Sequence, residues 1–213
     1  MRASDDPAVV VPDPLPLFPL QTVMFPGGRL GLKVFEARYL DLVGHCLRHR
    51  QPFGVIGLLR GGEVGNGNDV ELEEVGSLVL IDDVDSQQAG ILFLRCTAGR
   101  RFRRLGTLQQ LENGLWTTAA VALAADPPRA PGQAMHSTVQ ALAQAVAVLR
   151  EQGELPVAEP LRLDDAGWVA NRWCELLPLP LTVKQQMMEM DDPTIRLSLV
   201  DGFLRDKQVI IGD

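Results

Sequence analysis

Residues 15–39 read LPLFPLQTVMFPGGRLGLKVFEARY. The apolar residues come in short runs, broken by Pro16, Pro19 and Pro26 and then by Gly27-Gly28. Proline cannot donate to a sheet ladder, so Leu15–Leu32 reads as edge strands and turns. The stretch then changes period. From Phe35 to Gln51, Tyr39, Val43, Cys46 and Leu47 fall at helical spacing, while Arg38, Asp41, Arg48 and His49 lie off that stripe.

Downstream of Pro52 the texture is that of strands. Phe53–Leu59 is one apolar run, Asn66-Gly67 is a hairpin signal, and Val75–Ile81 is a strand expected to end in an acidic turn at Asp82-Asp83. Gly90–Cys96, Phe102–Gln110 and Trp116–Ala124 follow, with turns expected at Ala98-Gly99 and Asn113-Gly114. At Asp126–Gly132 the sequence is DPPRAPG, and beyond it the spacing is helical. Met135, Val139, Leu142, Val146 and Leu149 form one stripe. Asp164 is placed to cap a helix carrying Trp168 and Trp173. Thr182 with Gln185 forms a capping-box pattern, and Asp192-Pro193 opens a last helix with Ile195, Leu199, Val200 and Phe203. The fold class expected is α+β: a β-rich N-terminal part and an α-helical C-terminal part. The divisions are a flexible tail over 1–14, a β-rich part over 15–126, a Pro-rich connection over 127–132 and a helical part over 133–213.

The chain of 213 residues carries 20 Lys and Arg against 27 Asp and Glu, a net charge of −7. A general nucleic-acid or anionic-membrane binder is usually basic, so neither nucleic acid nor membrane is an expected partner. Cys46, Cys96 and Cys174 are odd in number and far apart, which speaks against a disulfide framework and fits a reducing, cytoplasmic setting. No apolar stretch approaches a membrane span, and no signal peptide is visible.

Catalytic signatures are missing from the sequence. No Gly is followed directly by Lys, so there is no Walker A loop, and no GxSxG elbow occurs. No catalytic residue, metal ligand or cofactor is assigned. His45 and His49 share a helical face, but a tetrahedral site needs more ligands, and both read as solvent-facing with Cys46 inward. Arg95, Arg100, Arg101, Arg103 and Arg104 form a local basic cluster. It reads either as an anion or nucleic-acid contact or as cross-strand partners of Asp82-Asp83 and Glu73-Glu74.

The ordered motifs resemble one family. Pro16–Leu20 (PLFPL), Pro26-Gly27 and Phe35–Tyr39 (FEARY) are similar to the opening of the Lon protease N-terminal domain family, in which FEPRY is usual. Phe53-Gly54-Val55, Val75-Gly76-Ser77, Gly99–Phe102, Leu177-Pro178-Leu179 and Lys184-Gln185 match later elements in order. The resemblance spans Leu15 to Arg205. It implies a PUA-like small β-barrel or sheet packed on a C-terminal helical bundle, in a free-standing domain without the ATPase and protease modules. It also implies a non-catalytic role in recognising polypeptide. The partners expected are protein or peptide clients, a separate protease or ATPase, and further copies of the chain.

Candidate contact residues are Phe18, Met24 and Phe25 in the Pro-rich segment, and Arg100, Arg101, Arg103 and Arg104 for the nucleic-acid alternative. Pro19, Phe35, Glu36, Arg38 and Tyr39 read as signatures that hold the fold, with Phe35 and Tyr39 docking the helix from one face. Met187, Met188 and Met190 offer either an adaptable self-association surface or core packing.

Overall fold

The computed structural model describes residues 10–62, 70–153 and 157–210. Its strands are β1 (Leu15–Leu20), β2 (Arg29–Val34), β3 (Phe53–Arg60), β4 (Glu71–Gln88), β5 (Ile91–Gln110) and β6 (Trp116–Ala122). Helix α1 (Ala37–His49) lies between β2 and β3. The chain then continues through α2 (His136–Glu151), α3 (Ala166–Leu176), α4 (Leu181–Glu189) and α5 (Pro193–Asp206). Strands precede helices, as the α+β reading expects. The residues 63–69, which include the Asn66-Gly67 hairpin signal, and most of the N-terminal tail lie outside the described residues.

Two compact units emerge. The first comprises the described residues of Met1–Gln21 and Gly31–Ala124. The second comprises Thr22–Leu30 with the described residues of Ala125–Asp213. The Pro-Gly turn of the opening segment thus groups with the helices, although sequence texture puts it among the strands.

In the first unit the strand order is β2-β5-β4-β3-β1-β6, and β5 pairs with β6 as well, so the sheet curls on itself. β1 and β3 are parallel neighbours, as a crossover containing a helix allows. The prolines of β1 do not lie in an edge strand, because β1 sits between β3 and β6. Leu15 and Pro16 register with β6, whereas Leu17–Leu20 register with β3. No residue of β1 is bracketed on both sides in these registers, which is why missing N–H groups are tolerated there.

Two expected turns are irregularities inside long strands. Asp82-Asp83 lies within β4, and Ala98-Gly99 lies within β5. Ser77 registers with Arg101 and Val79 with Ala98, so β5 holds one extra residue there. The opposite imbalance occurs between Ile81 and Asp83. These are β-bulges, which use the same Gly and Asp residues as turns and bend the strand without ending it. The reversals on either side of β5 are at Gly90 (φ 78°) and at Asn113-Gly114 (Gly114 φ 84°).

One core cluster of this unit is Leu15, Leu17, Ile56, Leu72, Leu78 and Phe102, all buried. Phe102 determines two glycines. A Cβ on Gly54 or on Gly76 would stand 2.8 Å from its ring, and at Gly76 also 2.4 Å from the Val55 carbonyl oxygen.

In the second unit, Asp165 rather than Asp164 caps α3, accepting from the Gly167 N–H at 2.9 Å and the Trp168 N–H at 3.3 Å. The capping box at Thr182 does not form. α4 starts two residues earlier than that box requires, with Pro180 as its N-cap residue, and Thr182 is already helical. Asp192 does cap α5, accepting from Thr194 N–H at 2.8 Å, with Pro193 at the first helical position. Arg196 is 1 % exposed and donates to Asp126 Oδ2 and Asn171 Oδ1, both at 2.7 Å, and to the Met187 carbonyl at 2.8 Å.

Candidate functional site

The first unit carries an open cleft of about 640 Å³. It is assembled from three stretches far apart in sequence. Pro12, Asp13, Pro14 and Pro16 lead into β1, Asp41, Gly44, His45 and Arg48 lie on α1, and Leu111, Leu115 and Thr117 flank the β5–β6 turn. Leu42, Pro52, Leu115 and Thr117 are buried, whereas Asp13, Asp41, His45, Arg48 and Leu111 are exposed. The floor is therefore apolar and the rim carries charge of both signs.

Each wall follows from local chemistry. The prolines have φ set by their rings and offer no N–H, so that wall is preorganised and apolar. α1 turns Tyr39, Leu42, Val43 and Cys46 inward, which leaves Asp41, His45 and Arg48 on the cleft side. Gly44 keeps the helix wall shallow. Leu111 caps the cleft at its turn end and is 46 % exposed. A cleft of this size and polarity accepts several side chains of an extended polypeptide, apolar ones on the floor. Among the described residues, no group of three His, Cys, Asp or Glu is placed to hold a metal ion. The His45 and His49 rings are exposed, 4.5 Å apart, and His45 Nε2 lies 3.3 Å from Gln51 Oε1.

The FEARY residues anchor the start of α1, with one exception. Glu36 is the N-cap residue and pairs with Arg38 at 2.9 Å. Arg38 is buried, lies over the Tyr39 ring at 4.6 Å and donates to the Gly114 carbonyl at 3.2 Å. Tyr39 stacks on Phe18 with ring centroids 4.0 Å apart. Pro19 is buried in β1. Phe35, however, precedes the helix and is 50 % exposed, so it does not share a docking face with Tyr39. The i, i+4 argument fails there because helical geometry begins only at Ala37.

The expected contact residues behave differently from the sequence expectation. Phe18, Met24 and Phe25 are buried, so they present no apolar face to a client. Their spacing between prolines conceals that they are core. The arginine cluster is consumed internally. Arg95 pairs with Asp83 and Arg103 with Glu74, Arg100 donates to the Leu123 carbonyl, and Arg104 donates to the Glu73 carbonyl. Arg101 is buried. These partners are those of adjacent antiparallel strands, which is why basic and acidic runs face each other. Met187 and Met188 are buried and Met190 is partly so, which makes them packing residues.

A charged cluster in the second unit carries no sequence signal. Arg172 is fully buried, donates to the Pro26 carbonyl at 3.0 Å and pairs with Glu175 at 2.9 Å. Burial pushes the Glu175 carboxyl up to about 7, against the pull of Arg172, the Phe25 N–H and Lys184. Gly27 has φ 78° and Gly28 N–H reaches the Phe25 carbonyl at 2.9 Å, a type II turn with Pro26 at its second position. The cluster fastens this turn to α3.

A family model described as the ATP-dependent protease La (LON) substrate-binding domain matches residues 14–206. Among solved structures, a Lon N-terminal domain protein from Xanthomonas campestris is similar at 32% identity and a TM-score of 0.71. That match covers 88% of this chain and 96% of the other. The N-terminal domain of Mycobacterium avium complex Lon protease shares the fold at 14% identity and a TM-score of 0.59, covering 90% of this chain and 98% of the other. No curated protein matches the sequence.

Proposed function

This chain belongs to the LON substrate-binding domain family, and from that premise we propose that it is a non-catalytic module that binds extended polypeptide in the cleft of its first unit. The family match over residues 14–206 is the observation that carries the reading. The apolar floor and two-signed rim of the cleft support it, because side chains are gripped below while the client backbone and charges stay near water. In this reading the chain acts in the cytoplasm on protein or peptide clients and delivers them to a separate protease or ATPase. The missing Walker A and GxSxG motifs agree with a binding role.

Gly44→Leu tests the site. A Cβ at Gly44 meets only the flexible Arg48 Nη1 at 3.4 Å, so the new side chain is accommodated and projects into the cleft. Leucine also favours the helix over glycine by about 1 kcal/mol, so stability does not fall. The probe is fluorescein-labelled, reduced and carboxymethylated α-lactalbumin, which stays unfolded, followed by anisotropy. Wild type is expected to bind and Gly44→Leu to weaken binding by about tenfold or more. Equal affinity of the two proteins refutes the cleft as the site. No binding by the wild type refutes the reading itself.

A further inference from the structure

The end of α1 brings three donor side chains together. His45 and His49 stand one helical turn apart, both exposed, with ring centroids 4.5 Å apart and the rings tilted by 42°. The third donor comes from beyond the helix. Arg50 takes the left-handed conformation at φ 51° and ψ 42°, and the Gln51 N–H closes the turn on the Cys46 carbonyl at 3.2 Å. Pro52 follows and is buried, which holds the turn in place. The chain thereby doubles back along α1, and Gln51 Oε1 comes to 3.3 Å from His45 Nε2. In the sequence only the two histidines stand out. The glutamine joins them through this turn.

We propose that His45, His49 and Gln51 form a binding site for a divalent transition-metal cation of the kind that prefers imidazole, zinc being the example tested. Zinc holds nitrogen and oxygen ligands at about 2.0–2.2 Å, and tetrahedral angles then set neighbouring donors about 3.3–3.5 Å apart. The 3.3 Å between His45 Nε2 and Gln51 Oε1 is that spacing. His49 reaches the same point by rotation about its second side-chain torsion, which is soft where a tetrahedral carbon meets a ring. Imidazole suits zinc, copper and nickel, whereas calcium and magnesium call for carboxylates and more oxygens. Three protein donors leave the fourth position to water.

The charges around the site favour a cation. Asp41 is exposed one turn before His45 on the same side of the helix. At about 100° per residue, Gly44 and His49 lie on opposite sides of His45. Arg48 extends over Gly44, where a Cβ would stand 3.4 Å from its Nη1, and so turns away from the pair. Arg50 borders a separate hollow with Leu80 and Asp82. All three donors are exposed, so an ion reaches them without any opening of the core. His45 also lines the cleft, but the metal site does not rest on the reading of that cleft as a client site.

Isothermal titration calorimetry with zinc chloride tests the proposal, on the untagged full chain after dialysis against a chelator. One equivalent is expected to bind with a Kd below about 100 µM. His45→Ala and His49→Ala are each expected to weaken binding by about 30-fold or more, since each leaves two donors. Gln51→Ala is expected to weaken it by about fivefold, an amide carbonyl being the poorer ligand. These side chains are exposed, and circular dichroism checks that the variants keep the fold. His136 is exposed in the second unit, and His136→Ala is expected to leave binding unchanged. Burial raises the thiols of Cys46, Cys96 and Cys174 to about 11, 12 and 12, which keeps them protonated and out of competition. Nuclear magnetic resonance of the ring nitrogens gives a second readout. Of the three imidazoles in the chain, those of His45 and His49 are expected to shift with zinc and that of His136 is not. A wild type that binds no zinc up to about 1 mM overturns the proposal. So does binding left intact by His45→Ala and His49→Ala, or binding that Gln51→Ala does not weaken.

Discussion

Replacing Gly28 by alanine is expected to unfasten the Pro26-Gly27 turn from α3. The added Cβ would stand 2.1 Å from Glu175 Oε1 and 2.9 Å from the Phe25 carbonyl oxygen. For ordinary contact the carboxylate must retreat by about 1.3 Å. That retreat opens the 2.9 Å pair with Arg172 Nε, the 3.0 Å bond from Arg172 Nη2 and the bond from the Phe25 N–H. Arg172 is fully buried, so its charge is left without its counterion. Breaking a buried pair from one side costs about 3–5 kcal/mol. For a unit of roughly 100 residues, this lowers the melting temperature by about 12 °C or more.

The assay is denaturant and thermal unfolding followed by tryptophan fluorescence. Trp168 and Trp173 report on the second unit, and a Trp116→Phe background removes the signal from β6. A Glu175→Ala background supplies the decisive comparison. With the carboxylate gone the first clash is absent, so Gly28→Ala is expected to cost at least about 1.5 kcal/mol less there than in the wild type. A Gly28→Ala protein within about 1 kcal/mol of wild type refutes the reasoning, as does full additivity with Glu175→Ala.

Glu175→Gln changes how stability depends on pH. The carboxyl titrates near 7 when folded instead of at its usual 4.5, so the folded state holds the proton more tightly. Its contribution is fully present below about 4.5 and is lost as pH rises toward 7. Wild type is expected to lose up to about 3 kcal/mol relative to Glu175→Gln across that window, by urea titration at pH 4.5 and 8. Parallel pH profiles refute it. Arg196→Met removes the donor shared by Asp126, Asn171 and the Met187 carbonyl, and is expected to cost about 3–5 kcal/mol. Arg196→Lys is expected not to restore it, because one ammonium cannot span those acceptors. A loss below about 1 kcal/mol for either refutes the clamp.

The α+β division, the helix at FEARY, the cap at Asp192 and the Pro-Gly turn were legible in the sequence because each is a local matter. Periodicity, a proline ring or a short side chain near an N–H acts within a few residues. The same locality explains the misses. Asp82-Asp83 and Ala98-Gly99 carry turn chemistry but serve as bulges, since pairing with a neighbouring strand decides whether the chain reverses or bends. Asp164 and Asp165 are equivalent caps in sequence, and packing of α3 selects the second.

The cleft shows the larger gap. Its helix wall is foreshadowed by polar Asp41 and Arg48 lying off the apolar stripe of α1. That Pro12–Pro16 and Leu111–Thr117 come to stand beside them follows from the β1–β6 register, which no local pattern encodes. By itself the sequence determined the family, the order of strands and helices, and the lack of a nucleotide-binding or nucleophile motif. Tertiary structure alone decided that Phe18, Met24 and Phe25 are core, that Arg95, Arg103 and Arg104 of β5 meet partners on β4, and that Arg172 and Arg196 are buried. The reason is physical. Composition and spacing act along the chain, whereas burial and charge pairing are set by residues that meet only after folding.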